Sequence, residues 1–125
     1  MENKKRILVV DDEADLVTFV KLRLEANGYE VLAAVDGEEA RKAAKESQPD
    51  LIILDIILPK LNGFEVCSLL KNDPKTSHIP IIMLTAKDQE ADIHLAKKVG
   101  SDAYIAKPFD ADMLLLRIKE LLKEI

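Results

Sequence analysis

The chain has 125 residues, 48% of them apolar and 33% charged, which fits a single domain over residues 1–125 able to bury a core without disulfides or metal staples. Its net charge of −5 argues against direct nucleic acid binding by this domain, since such binding needs a basic face. A single cysteine, Cys67, excludes an internal disulfide, and no apolar run is long enough for a membrane span or a signal peptide, so a reducing, cytoplasmic setting with no membrane partner is expected.

Along the chain, short apolar runs alternate with helical patterns. Ile7-Leu8-Val9-Val10 is the first run, and Leu16, Phe19, Val20 and Leu24 follow at helical spacing until Asn27-Gly28, residues that tolerate left-handed geometry. Glu30 to Ala34 is a weaker second run. Asp36 with Glu39 then resembles an N-cap with its reciprocal partner, opening an Ala40, Ala43, Ala44 stripe that closes before Pro49. Leu51-Ile52-Ile53-Leu54 is continuously apolar, and Asn62-Gly63 starts a third helix in which Cys67 reads as a small packing residue. Ile81-Ile82-Met83-Leu84 precedes a helix predicted over Asp88 to Val99. The fifth run, Ala103 to Ala106, is again weak, and Asp110 caps a last helix with Leu114, Leu115, Ile118, Leu121 and Leu122 on one face.

Continuous β-branched runs are the mark of strands buried on both faces of a parallel sheet, and the weaker second and fifth runs suit its edges. Five strand–helix units with right-handed crossovers give an α/β fold, an open, doubly wound five-stranded parallel sheet, whose ligands bind at the carboxyl ends of the strands. Those ends carry Asp11-Asp12-Glu13, Asp55, Thr85 and Lys107. Singly, each has a bland reading: an aspartate after a strand is often an N-cap, Asp55 could be a turn residue before Pro59, and Thr85 or Lys107 could be structural or solvated. Together they describe a pocket with a definite need. Carboxylates about 4 Å apart repel by about 4 kcal/mol per pair at an effective dielectric near 20, and one lysine cannot balance three of them. A divalent cation and Lys107 together can, and carboxylate and carbonyl oxygens suit Mg²⁺, with Mn²⁺ as the alternative ion. A carboxylate can attack phosphorus to give an aspartyl-phosphate, with Thr85 and Lys107 steadying the phosphoryl oxygens.

In these residues the sequence resembles the receiver domains of response regulators over essentially its whole length. The resemblance is carried by Asp11-Asp12, by Asp55 with Pro59 and Gly63, by Thr85-Ala86, and by Lys107-Pro108-Phe109. It implies a flavodoxin-like (βα)5 sheet of order 2-1-3-4-5 and a signalling domain of a two-component system that catalyses only its own phosphorylation and dephosphorylation. It further implies Asp55 as phosphoacceptor, with a metal held by Asp11, Asp12, Asp55 and the Ile57 carbonyl. Thr85 and Lys107 would contact the phosphoryl group, Thr85 and Tyr104 would form the switch, and the Lys107-Pro108 bond would be cis. The implied donor is a histidine kinase or a phosphotransfer protein, and the implied recipient an output domain or downstream protein. Residues Gly100 to Leu122 resemble the receivers of winged-helix transcription regulators. Ala103 and Met113, however, stand where those typically carry acidic residues that pair across an activated dimer, which leaves a homodimer open.

Three other readings fit less well. A receiver-like interaction module that is never phosphorylated would not need the complete set of Asp11, Asp12, Asp55, Thr85 and Lys107. A Mg²⁺-dependent phosphohydrolase would carry its aspartate after the first strand and need a lid for which there is no room. A flavin carrier would have a Gly, Ser or Thr-rich phosphate loop in place of Asp11-Asp12-Glu13. His78 and His94 lack a second metal-type ligand at suitable spacing and read as surface residues. Ile57 is expected to lean over a phosphoryl group and shed water, and Lys87 has the reach to approach it. Phosphorylation replaces one carboxylate charge by about two, so Thr85 is expected to be drawn in and Tyr104 to fill the vacated space.

Overall fold

The computed structural model describes residues 4–86 and 90–124. The apolar runs form five strands: β1 Arg6–Val10, β2 Glu30–Ala34, β3 Leu51–Asp55, β4 Ile81–Ala86 and β5 Ala103–Lys107. They pair in parallel in the order β2-β1-β3-β4-β5, so the two weak runs are the edges. The central strand β3 is buried at every position, as a run without alternation requires.

Between the strands lie α1 Ala14–Ala26, α2 Gly37–Ser47, α3 Gly63–Lys71 and α4 Glu90–Lys98, and α5 Ala111–Leu121 follows β5. Successive strand residues point to opposite faces, and two cores result. Leu8, Val10, Ile52, Leu54, Ile81 and Met83 pack against α2, α3 and α4. Ile7, Val9, Leu51, Ile53, Ile82 and Leu84 pack against α1 and α5. Cys67 is fully buried in the first core, and burial pushes its thiol up to about 11, which suits packing and not reactivity.

Helix starts differ in detail from the sequence reading. The reciprocal capping box belongs to α3, where Asn62 and Glu65 bond each other's backbone N–H. At α2 only half of it forms: the Asp36 carboxylate accepts from the Glu39 N–H, while its other oxygen faces Lys60. The predicted start of the fourth helix at Asp88, and Lys87, lie outside the described residues. His78 and His94 are exposed. Among the described residues, no helix is long and apolar enough to cross a membrane.

Candidate functional site

Strand parity and the parallel register bring the site together. Asp11 follows Val10, Asp55 ends β3 and Lys107 ends β5, and all three share the parity of the α1/α5 face. Asp11 and Asp55 follow the paired Val10 and Leu54. Asp55 is level with Leu84 and Lys107 with Ala86, so Lys107 lies two residues further along the sheet edge and its long side chain reaches both carboxylates. The Lys107 ammonium lies 3.1 Å from Asp11 Oδ2 and 3.1 Å from Asp55 Oδ2. It also donates to Glu13 Oε1 at 3.3 Å. Asp11 is fully buried and Asp55 nearly so, whereas Asp12 and Glu13 are exposed on the cleft wall.

Burial, and then the Asp11 charge, push the Asp55 carboxyl above its ordinary value, while the hydrogen bond and charge of Lys107 pull the other way without cancelling them. Burial also works against the Lys107 ammonium, but its bonds to Asp55 and Asp11 outweigh that and hold it above its ordinary value. A lysine so placed stays charged. It faces more anions than it can neutralise, and carboxylate oxygens of Asp11, Asp12 and Asp55 come within 4.8 Å of one another. This all-oxygen donor set, part buried and part open to water, could hold a hard metal cation.

The loop after β3 is held close. The Gly63 N–H donates to the Ile56 carbonyl at 2.7 Å, and a Cβ at Gly63 would collide with the Asp55 carbonyl oxygen and come within 2.7 Å of Ile56 Cα. Glycine is therefore required where α3 begins, by close approach of backbone to backbone. Ile57 follows at the mouth, 76% exposed and lining a cleft of about 560 Å³ with Leu16, Phe19, Pro108 and Phe109. The Lys107–Pro108 peptide is cis.

Thr85 and Tyr104 take no part in the Lys107 ion pairs. Thr85 lines the cleft but is fully buried, with its hydroxyl 3.5 Å from the Ile105 carbonyl oxygen, a long bond at best. Tyr104 packs against the α2/α3/α4 core with Lys97 5.5 Å from its ring centroid. Thr85 is opposite Ala106 in the ladder, so Tyr104, two residues back on β5, is its diagonal neighbour on the same face. The site residue the sequence reading passed over is Glu13. It stood in the run Asp11-Asp12-Glu13, but nothing in that run says where a long side chain will turn.

The family model for the response regulator receiver domain matches residues 7–119. The chain is 49% identical over 95% of its length to the alkaline phosphatase synthesis transcriptional regulatory protein PhoP of Bacillus subtilis, 49% of whose length it covers. The chain spans about half the length of the curated relatives it matches. Among solved structures, the chemotaxis response regulator CheY4 of Vibrio cholerae is similar at a TM-score of 0.89 and 31% identity, over 95% of this chain and 99% of that one. The receiver domain of the sensor histidine kinase PA1611 from Pseudomonas aeruginosa, with a magnesium ion coordinated in its active site cleft, is similar at a TM-score of 0.89 and 28% identity, over 97% and 99%.

Proposed function

This chain belongs to the response regulator receiver domain family, the phosphoacceptor signalling domains of two-component systems, and on that premise we propose that Asp55 carries the phosphoryl group. The observation that supports this most is the position of Asp55 itself: a nearly buried carboxylate at the end of β3, with one oxygen held by Lys107 and its neighbours supplying oxygen donors for a cation.

Asp11, Asp12, Asp55 and the Ile57 carbonyl would hold Mg²⁺, with Mn²⁺ as the alternative. Bound there, the ion would offset the repulsion among the carboxylates and the charge on incoming phosphoryl oxygens. An Asp55 carboxylate oxygen attacks phosphorus and the donor's leaving group departs with the bonding electron pair. Lys107 is already at hydrogen-bond distance from Asp55 and turns to a phosphoryl oxygen without a new side chain having to be recruited. The proton competes with phosphorus for Asp55. In the metal-free site burial and the Asp11 charge raise the carboxyl above its ordinary value, so labelling should fall as the pH is lowered. It should fall at higher pH when Mg²⁺ is scarce than when it is saturating.

The donor is a histidine kinase, a phosphotransfer protein or a small phosphodonor, and the recipient of the signal is an output domain or a downstream protein, both in the cytoplasm. The domain's own chemistry is confined to gaining and losing this one group. For the switch, Thr85 has its hydroxyl on a long bond to β5, and the phosphoryl oxygens would offer it a charge-assisted one. Moving Thr85 towards them frees space beside Ala106 on the face that Tyr104 shares.

Acetyl phosphate with Mg²⁺ should add one phosphoryl group per chain by intact mass, and a chelator should prevent it. Beryllofluoride, a stand-in for the phosphoryl group, should move NMR signals from Thr85 to Gly100 and at Tyr104. Changes confined to Asp11, Asp12 and Asp55 would refute the switch. Ile57 gives a separate expectation. Its exposed apolar side chain offers no hydrogen bond to a water approaching in line with the Asp55–phosphorus bond, so self-dephosphorylation should be slow. Ile57→Asn should speed loss of phosphate severalfold without harming the fold; an unchanged or slower rate would remove Ile57 as the water barrier.

A further inference from the structure

Among the described residues Lys107 has three carboxylate partners, and the third belongs to neither the phosphoacceptor nor the proposed metal ligands. Glu13 Oε1 is 3.3 Å from the ammonium, on the side of the cleft mouth. Its backbone is fixed there, since the Glu13 N–H donates to Asp11 Oδ1 at 2.9 Å. Glu13 is also the N-cap residue of α1, where a short polar side chain would ordinarily accept from the first turn, yet it makes no side-chain cap. The helix therefore starts without the side-chain bond that α2, α3 and α5 each have. The carboxylate that could have been spent on the helix is turned to Lys107 instead.

From this we infer that Glu13 is a positioning residue that tethers Lys107 at the cleft mouth and competes with the phosphoryl group for it. The inference rests on the receiver reading and deepens it. Among the described residues, with Glu13 counted, the resting site holds four carboxylates against one lysine. A cation of charge two leaves it at −1, and phosphorylation takes it near −2. Lys107 must loosen its hold on Glu13 to serve the phosphoryl oxygens, and an anionic donor must pass a carboxylate at the entrance. Both effects hold phosphorylation back. An ion pair this exposed, with the Glu13 side chain 65% accessible, can alter an equilibrium by at most about fivefold.

Two variants separate tether from charge. Glu13→Gln removes the charge. Glu13→Asp keeps it, but withdraws the carboxylate by about 1.5 Å, one carbon–carbon bond, beyond reach of Lys107. Aspartate is also a good N-cap, so this variant should melt no lower than the wild type. Rates of phosphorylation by acetyl phosphate with Mg²⁺, read by intact mass, should rise about two- to fivefold in both variants. The thermal midpoint of Glu13→Asp should be equal or raised. A wild-type rate in Glu13→Asp with a fast Glu13→Gln would overturn the tether in favour of charge at the entrance. Rates at or below wild type in both would overturn the inference altogether. A wild type that takes no phosphoryl group would instead overturn the receiver reading on which it rests.

Discussion

Asp55→Asn is expected to take up no phosphoryl group from acetyl phosphate under conditions that label the wild type fully. The amide has nearly the shape of the carboxylate, so packing at the end of β3 is kept. What it lacks is the anionic oxygen that attacks phosphorus and the charge that draws Lys107. The same substitution removes a source of electrostatic conflict in the resting site, because Asp55 and Asp11 share one lysine. Asp55→Asn should therefore be at least as stable as the wild type in the absence of metal. Chemical denaturation with an unchanged slope on denaturant would show it as a shifted midpoint. Retained labelling with a stable fold would move the phosphoacceptor elsewhere.

Gly63→Ala should destabilise the fold although it leaves every charged residue alone. At the first turn of α3, alanine would ordinarily stabilise by up to about 1 kcal/mol through helix propensity. Here the added carbon would collide with the Asp55 carbonyl oxygen and with Ile56 Cα at 2.7 Å, both backbone, neither able to move aside cheaply. Overpacking of this kind costs about 1–3 kcal/mol, which outweighs the propensity gain, so the net effect is destabilising by up to about 2 kcal/mol. Relief would come by shifting the start of α3 away from the strand end, taking the Gly63–Ile56 bond and the Ile57 carbonyl with it. Slower phosphorylation should accompany the lower midpoint. A neutral or stabilising effect in urea unfolding would show that the loop adapts and that close approach is not what glycine is for.

Why some of this is legible in the sequence and some is not follows from which forces decide it. The strands were legible because burial on both faces leaves no room for polar alternation, as at Leu51 to Leu54. The site was legible because a parallel sheet puts all its strand ends at one edge, so Asp11, Asp55 and Lys107 had to converge once the strands were placed. Their shared parity on the α1/α5 face was equally fixed by counting residues. What lay beyond reach depends on where a side chain turns. Glu13 reads as one more acid in a row; only three dimensions show that it leaves α1 uncapped to reach Lys107. The capping box went to Asn62 and Glu65, while Asp36 is shared with Lys60, a residue 24 positions on in sequence. Thr85 is in the cleft as its position implies, but its hydroxyl partner is a carbonyl on β5.

The most direct measurement is the position of the phosphoryl group itself. The wild type, labelled with acetyl phosphate and Mg²⁺, is treated with borohydride, which reduces an aspartyl-phosphate to homoserine, and the modified residue is read by peptide fragmentation. The account expects homoserine at position 55 alone. Homoserine at Asp11 or Asp12, or a phosphorylated chain with no reducible acyl phosphate at all, would contradict it.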